Sequence, residues 1–292
     1  MENKARTVLL LLSALFAGAA GAAAPPAANP DWTAPQAPFK IYGNTYYVGS
    51  KGLTSLLITS EFGHVLLDGG LPENARQIAA NIQALGFKLN EVKAILNSHA
   101  HRDHAGGIAE LQRLTGAPVY VRRPSEAVLR TGKLVANDPQ FGTKGADFPP
   151  AQTVWIVSDE QWLGVGSNRL QAFATAGHTP GGTTWTWEAC EGTKCLHLVY
   201  ADSLSPVSAK PFKFTASKAY PEALADFEQA FQRLEALPCD VLITPHPEAS
   251  GFFERIAQRD AGKPETLKAE GGCKAYAQAA RAKLAERVAS EK

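Results

Sequence analysis

The sequence predicts an α/β fold with two β-sheets and helices on their outer faces. Short apolar or alternating runs typical of strands occur in both halves of the chain, and helical patterns follow each strand-rich half. A content of 45% hydrophobic residues over 292 positions is ample for a large core. Since no linker divides the halves, residues 23–292 are expected to form a single domain.

Strand-like segments begin after a Pro- and Ala-rich arm that ends near residue 38. The first two runs, 39–42 and 45–48, flank Gly43-Asn44, which is typical of a hairpin turn with positive φ. Val92–Leu96 is fully apolar apart from one lysine and predicts a buried strand. Further strands are predicted at 54–59, 64–68, 118–121, 154–157, 161–165, 170–174, 183–187, 196–200 and 241–243.

Helices are predicted where apolar residues recur every three or four positions. Pro72 opens the first helix and Gly86 ends it. Other helices are predicted at 108–116, 124–130, 222–237 and 273–288. The segment 136–152 is interrupted repeatedly by Gly and Pro, which predicts a long loop of the kind that is usually functional or disordered.

The first 22 residues predict a secretory signal peptide. Lys4 and Arg6 precede an apolar run at 8–16, and Ala20-Gly21-Ala22 is a small-residue cleavage site. The strongly apolar run is shorter than the ~20 residues that a membrane-spanning helix needs. We therefore expect export to the periplasm without a stable membrane anchor.

The charge of the chain is nearly balanced, with a formal net charge of +1. No cluster of Lys and Arg with interleaved aromatic residues is present, which argues against nucleic acid as a partner. We expect a monomer that acts on a small molecule.

Four cysteines in an exported chain are expected to form disulfides. Cys190 and Cys195 flank a turn-like tetrad between two strand-like runs and are expected to pair, so that Cys239 would join Cys273. A zinc–cysteine cluster is the alternative, but no C-x-x-C spacing occurs.

The most informative stretch is 97–107, directly after the predicted strand Val92–Leu96. It places His99, His101, Asp103 and His104 within six positions. A tight loop at a strand end can turn several of these side chains toward one point. Imidazole and carboxylate groups are ligands of Zn²⁺, and a catalytic zinc keeps one position open for water. The stretch therefore predicts a metal site.

Two further histidines lie at comparable junctions between a strand and a loop. His178 follows a predicted strand within a Gly- and Pro-rich turn, and His246 stands between two prolines after another strand. Each alone is weak evidence, because a single loop histidine is more often a surface residue. With the first cluster they supply six ligands, which is enough for two zinc ions. His64 and His197 are interpreted as ordinary residues.

The motifs around these six residues resemble the metallo-β-lactamase superfamily, and the likeness covers nearly the whole mature chain. The resemblance implies an αββα sandwich of two mixed sheets with helices outside and a metal cleft at one sheet edge. The stretch 198–205 is similar to subclass B3, with Ser203 where other subclasses carry a cysteine ligand. His178 to Trp187 and Trp32 to Pro35 also resemble that subclass.

The resemblance implies a set of roles for individual residues. His99, His101 and His178 would hold the first zinc, and Asp103, His104 and His246 the second. Asp103 would orient a metal-bridging hydroxide that attacks the β-lactam amide of penicillins, cephalosporins and carbapenems, which confers antibiotic resistance. Ser203, Ser205 and Gln140 would contact the substrate, and segments 136–152 and 206–215 would wall the cleft.

Two alternative functions remain open. A thioesterase or lactonase of the same fold, of the glyoxalase II type, would use Asp202 as a ligand that bridges both metals. A non-enzymatic, exported zinc-binding protein is the second alternative, although storage sites tend to be closed and rich in cysteine.

Overall fold

The protein folds into four layers in the order helix, sheet, sheet, helix. The structure, a computed structural model, describes residues 29–292. The predicted signal peptide lies outside the described residues. Among the described residues, the helices include none with the length and apolar character that crossing a membrane requires.

The first sheet contains seven strands whose order in space follows their order in sequence. The first four strands pair antiparallel, and the fourth to seventh pair parallel, so that the sheet is mixed. The strands are β1 (Phe39–Tyr42), β2 (Thr45–Tyr47), β3 (Leu56–Ile58), β4 (His64–Leu67), β5 (Val92–Leu96), β6 (Val119–Arg122) and β7 (Val154–Val157).

The second sheet contains five strands and is also mixed. The first four pair antiparallel, and the last pairs parallel with its neighbour. The strands are β8 (Trp162–Val165), β9 (Asn168–Ala174), β10 (Thr183–Glu191), β11 (Lys194–Tyr200) and β12 (Val241–Ile243). The predicted turn between β1 and β2 is present, with Gly43 at φ 55°.

Seven α-helices flank or connect the sheets. They are α1 (Ala75–Ala84), α2 (Arg102–Ala105), α3 (Ile108–Thr115), α4 (Glu126–Thr131), α5 (Ala223–Ala236), α6 (Phe252–Asp260) and α7 (Gly272–Ser290). The first predicted helix begins as a 3-10 turn, Pro72–Asn74, before α1. Two helices were not predicted. Helix α2 is a single turn within the segment expected to be a tight loop, and in α6 the buried residues are only Phe252 and Ile256.

Three clusters of buried apolar side chains hold the layers together. The inter-sheet cluster includes Trp185 and Tyr200, both fully buried. A second cluster packs α1, α3 and α4 against the outer face of the first sheet. A third packs α5 and α7 against the second sheet. This layering confirms the predicted αββα sandwich of two mixed sheets.

The structure joins Cys190 to Cys195 across the β10–β11 turn and Cys239 to Cys273 at the start of α7. The bridges close loops of 5 and 34 residues, and the chain-entropy model relates stabilisation to loop length.

Removing the Cys239–Cys273 bridge by double alanine substitution is therefore expected to lower the free energy of unfolding by about 3–4 kcal/mol. Urea unfolding measures this loss. The Cys190/Cys195 double variant is the control, with an expected loss of about 2 kcal/mol; equal losses would contradict the loop-length explanation.

His64 is buried at the start of β4, where its ring packs edge-on against Phe87. Its Nδ1 accepts the N–H of Ser60 at 3.3 Å. Burial lowers the pKa of His64 below its ordinary value, and the attraction of Glu91 only partly opposes this effect.

The neutral form of His64 therefore stabilises the fold above about pH 6.5, and this contribution is lost as the pH falls. His64→Asn keeps an acceptor for Ser60 but does not titrate. We expect wild-type protein to lose more stability than this variant between pH 8 and pH 5, measured by urea unfolding at each pH. If the wild type instead became more stable relative to His64→Asn as the pH falls, neutral His64 would not be the stabilising form.

Candidate metal centre

The six predicted ligand residues converge at one edge of the two sheets. His99 and His101 follow β5, and the single turn of α2 carries Asp103 and His104. The loop between β9 and β10 supplies His178, and the segment after β12 supplies His246. Both sheets are therefore needed to assemble the cluster.

The first ligand group consists of His99, His101 and His178. Their ring centroids lie 4.8 to 4.9 Å apart, and one nitrogen of each lies within 4.8 Å of the others. All three residues are buried. This arrangement matches a site in which three imidazoles hold one metal and leave a fourth position open.

The second ligand group consists of Asp103, His104 and His246. Asp103 Oδ2 lies 3.2 Å from His104 Nε2 and 3.3 Å from His246 Nε2, and the two nitrogens are 3.2 Å apart. Three atoms that carry lone pairs repel one another at these distances unless a proton or a cation lies between them. The geometry therefore fits a second cation.

A hydrogen bond at the opposite ring nitrogen orients each imidazole of the first group. His99 Nδ1 lies 2.7 Å from Asp202 Oδ1, and His178 Nδ1 lies 2.7 Å from the carbonyl oxygen of Ser205. His101 Nε2 lies 3.1 Å from both oxygens of Asp138. Each acceptor favours the tautomer that carries its proton on the nitrogen facing that acceptor. The other ring nitrogen therefore keeps a lone pair that can bind a metal.

The electrostatics of the cluster also suit metal binding. Burial, together with neighbouring imidazoles, lowers the pKa of His99 well below its ordinary value and that of His178 to about 3. Both rings are therefore neutral and can donate a lone pair. Burial alone would raise the pKa of Asp103, but His104 and His246 hold it well below its ordinary value, so Asp103 is a carboxylate.

Asp68 connects the two sheets beneath the cluster. It is fully buried and has φ 57°, a value unusual for a residue other than glycine. Its carboxylate accepts hydrogen bonds from the side chain of Asn97 at 2.9 Å, from the N–H and hydroxyl of Ser98 at 2.7 and 2.6 Å, and from the hydroxyl of Tyr200 at 2.8 Å. Asp68 thereby fixes the start of the loop that carries His99.

A cavity of about 340 Å³ opens beside the two ligand groups. The three residues predicted to contact substrate, Gln140, Ser203 and Ser205, all line it. Its other lining residues are Trp32, Leu71, His101, Arg102, Asp103, Leu134, Thr143, Lys144, Gly145, Ala146, His178, Val207 and His246. The segment 136–152 therefore forms part of the cavity wall, whereas the segment 206–215 contributes only Val207.

Three side chains contact the ligand cluster in ways that the sequence did not predict. Asp202 lies behind His99 and belongs to neither ligand group, which argues against the bridging role considered for a thioesterase. Asp138 binds His101, and the ring of Trp32 lies 5.3 Å from that of His246. These contacts bring together residues distant in sequence, and no local pattern indicates them.

The family model described as the metallo-β-lactamase superfamily matches residues 51–195. The solved structure of the Rm3 metallo-β-lactamase is similar to this chain at a TM-score of 0.87 and 50% sequence identity. The likeness covers 89% of this chain and 97% of the other. The chain belongs to the metallo-β-lactamase superfamily.

The predicted likeness to subclass B3 is confirmed as well. MEM-A1, a subclass B3 metallo-β-lactamase isolated from a soil metagenome library, is 46% identical, with a TM-score of 0.87 and coverage of 89% of this chain and 98% of that structure. This likeness identifies the chain as a hydrolase of the metallo-β-lactamase type.

Curated relatives match more partially. A ribonuclease of Thermus thermophilus is 36% identical over 122 residues, which are 40% of this chain and 28% of the ribonuclease. The chain spans less than half the length of the curated relatives it matches.

Proposed function

We propose that this metallo-β-lactamase superfamily member hydrolyses the amide bond of β-lactam antibiotics, namely penicillins, cephalosporins and carbapenems, and thereby confers resistance. The observation that carries the proposal is the pair of adjoining ligand groups beside an open cavity, in a fold similar to that of subclass B3 enzymes. The ligand types favour zinc, because imidazole and carboxylate are its common ligands in catalytic sites.

Two zinc ions per chain are proposed. His99, His101 and His178 would hold the first, and Asp103, His104 and His246 would hold the second. When bound, the pair of ions would supply an activated water and stabilise the charge that develops on the carbonyl oxygen and the departing nitrogen. Orienting the water and binding the substrate would be the work of the side chains.

Asp103 is the proposed catalytic residue. Its ionised Oδ2 faces the centre between His104 and His246, where it can accept a hydrogen bond from the attacking water and orient it toward the carbonyl. Its low pKa keeps it in the accepting form. The three imidazoles of the first group are held rigidly by their outer partners, which lowers the cost of reaching the reactive geometry.

Ser203, Ser205 and Gln140 are proposed to bind the substrate. They lie on the cavity wall, and hydroxyl and amide groups there can donate hydrogen bonds to a substrate carboxylate. Ser205 Oγ lies 3.3 Å from His178 Nδ1, so its hydroxyl also borders the first ligand group. A substrate carboxylate bound by these residues would therefore lie next to the ligand cluster.

Export to the periplasm and a monomeric state complete the proposal. The two disulfides are compatible with an oxidising compartment. Size-exclusion chromatography with light scattering tests the monomer, and localisation of the full chain in cells tests export.

Hydrolysis by the purified protein is the decisive measurement. Zinc-loaded protein is expected to turn over a penicillin, a cephalosporin and a carbapenem, to lose this activity with EDTA, and to regain it with added zinc. Zinc content by atomic emission is expected to be two per chain. Turnover of a glutathione thioester without turnover of any lactam would overturn the proposal in favour of a thioesterase. The absence of any hydrolysis, with zinc bound, would favour a binding protein.

A further inference from the structure

Asp138 connects the wall of the cavity to one imidazole of the first ligand group. Its side chain is only 4% exposed, and both of its oxygens lie 3.1 Å from His101 Nε2. Oδ1 also accepts the backbone N–H of Gln140 at 2.7 Å. One buried carboxylate therefore binds the imidazole and the first residue of the wall at the same time.

The wall segment, defined as residues 140–147, has few other attachments. Within the part of the chain that the structure describes, its backbone hydrogen bonds stay between residues 138 and 146. Most of its residues are exposed. The next backbone anchor is Phe148, whose N–H donates to the carbonyl oxygen of Gly132 at 2.9 Å and whose side chain is buried. The position of the wall segment thus depends on Asp138 and on the side-chain amide of Gln140, whose Nε2 lies 3.3 Å from His101 Nδ1.

The opposite wall is tied to a second imidazole in a comparable way. The carbonyl oxygen of Ser205 accepts a hydrogen bond from His178 Nδ1 at 2.7 Å. Four residues later, the N–H of Ala209 donates to the carbonyl oxygen of Pro139 at 2.9 Å. Both walls are therefore attached to first-group imidazoles and to each other.

The tautomer of His101 links these attachments to metal binding. With its proton on Nε2, donated to Asp138, the ring keeps a lone pair on Nδ1 for a cation. A carboxylate partner fixes the ring and increases its strength as a ligand. A cation at Nδ1 would in turn make the Nε2–H a stronger donor to Asp138. The coupling is reciprocal: a cation at His101 would strengthen the contact with Asp138, and that contact would strengthen cation binding to the same extent.

We propose that Asp138 is a positioning residue that couples metal binding at His101 to the placement of the wall segment. The inference rests on the proposed metal site and extends it to the recognition of substrate. Because Asp138 does not face the reacting atoms, its loss should raise KM for substrates that contact the wall more than it lowers kcat.

Trypsin offers a probe of the wall that does not depend on activity. Lys144 is exposed in the middle of the wall segment, so cleavage of the Lys144–Gly145 bond reports its placement. Zinc is expected to slow this cleavage in wild-type protein, as followed by mass spectrometry. In Asp138→Ala, zinc should no longer slow it, and zinc affinity, measured by competition with a chromogenic chelator, should fall by about 10–100-fold.

Two further variants separate the proposed role from general damage. Asp138→Asn keeps one oxygen that can accept from both His101 and Gln140, so it should restore most of the zinc-dependent protection while zinc affinity stays below that of the wild type. Asp147→Ala removes an exposed carboxylate from the same loop and should behave as wild type.

Equal zinc-dependent protection in Asp138→Ala and wild type would overturn the coupling and leave the proposed function intact. If the wild type bound no zinc, both proposals would fail. The two failures are therefore distinguishable.

Discussion

Replacing Asp103 with alanine is expected to lower kcat for β-lactam hydrolysis by at least about 10²–10³-fold, the loss typical when one group that stabilises the transition state is removed. Asp103 is the carboxylate of the second ligand group, and its Oδ2 lies within 3.3 Å of both His104 and His246. Its removal would take away one proposed metal ligand and the group proposed to orient water. Steady-state kinetics with a saturating substrate measure the effect.

The stability of the Asp103 variant is the essential comparison. Urea unfolding should show a much smaller proportional change than kcat, because the side chain lies at the cavity and outside the apolar core. Glu110→Ala on α3, which removes a carboxylate paired with Arg113 at the surface, is a matched control and should leave kcat unchanged. Comparable losses of activity and stability in Asp103→Ala would instead mark the residue as structural.

Replacing His178 with alanine is expected to reduce bound zinc from two ions to one per chain. Its ring nitrogen belongs to the first ligand group and is oriented by the carbonyl oxygen of Ser205. Loss of a residue that only orients a metal ligand typically lowers activity by about 10–100-fold. Loss of the ligand His178 itself should lower activity by more than that. Zinc content and kcat/KM measured on the same preparation check both parts.

His197→Ala provides the control for this substitution. His197 is an exposed histidine of β11 that belongs to neither ligand group, so its removal should leave zinc content and kcat/KM unchanged. If His178→Ala retained two zinc ions, the division of the six ligands between two metals would be wrong.

The sequence was sufficient to predict the layers of the fold, and it singled out six candidate ligands that lie close together in the structure. Strand and helix periodicity is local, so β5 and α5 were recognisable without knowledge of their neighbours. The dense group of His99, His101, Asp103 and His104 was recognisable because metal chemistry requires these residue types close together. Helix α6 was missed, because its buried residues are only Phe252 and Ile256 and most of its other positions are charged or polar.

The outer partners of the ligands could not be predicted from the sequence alone. Asp138 and Asp202 are separated from the histidines they bind by 37 and 103 residues. Asp138 lies in an irregular loop without periodicity, and Asp202 meets His99 only once the two sheets have packed. The same residue type also occurs on the surface in ordinary ion pairs, as Asp159 does with Arg233. Their roles follow from tertiary structure.

The four aspartates at the cluster also set its charge balance. Asp68, Asp138 and Asp202 are buried, and Asp103 lies among the ligands. Burial raises the pKa of Asp68 and Asp202 and so favours their neutral forms, whereas Asp103 is ionised. Two divalent cations would then outweigh the ionised carboxylates, and a loaded centre would attract an anionic substrate from a distance. Lys144 on the cavity wall would add to this attraction, and the rate of substrate capture would decrease as ionic strength increases.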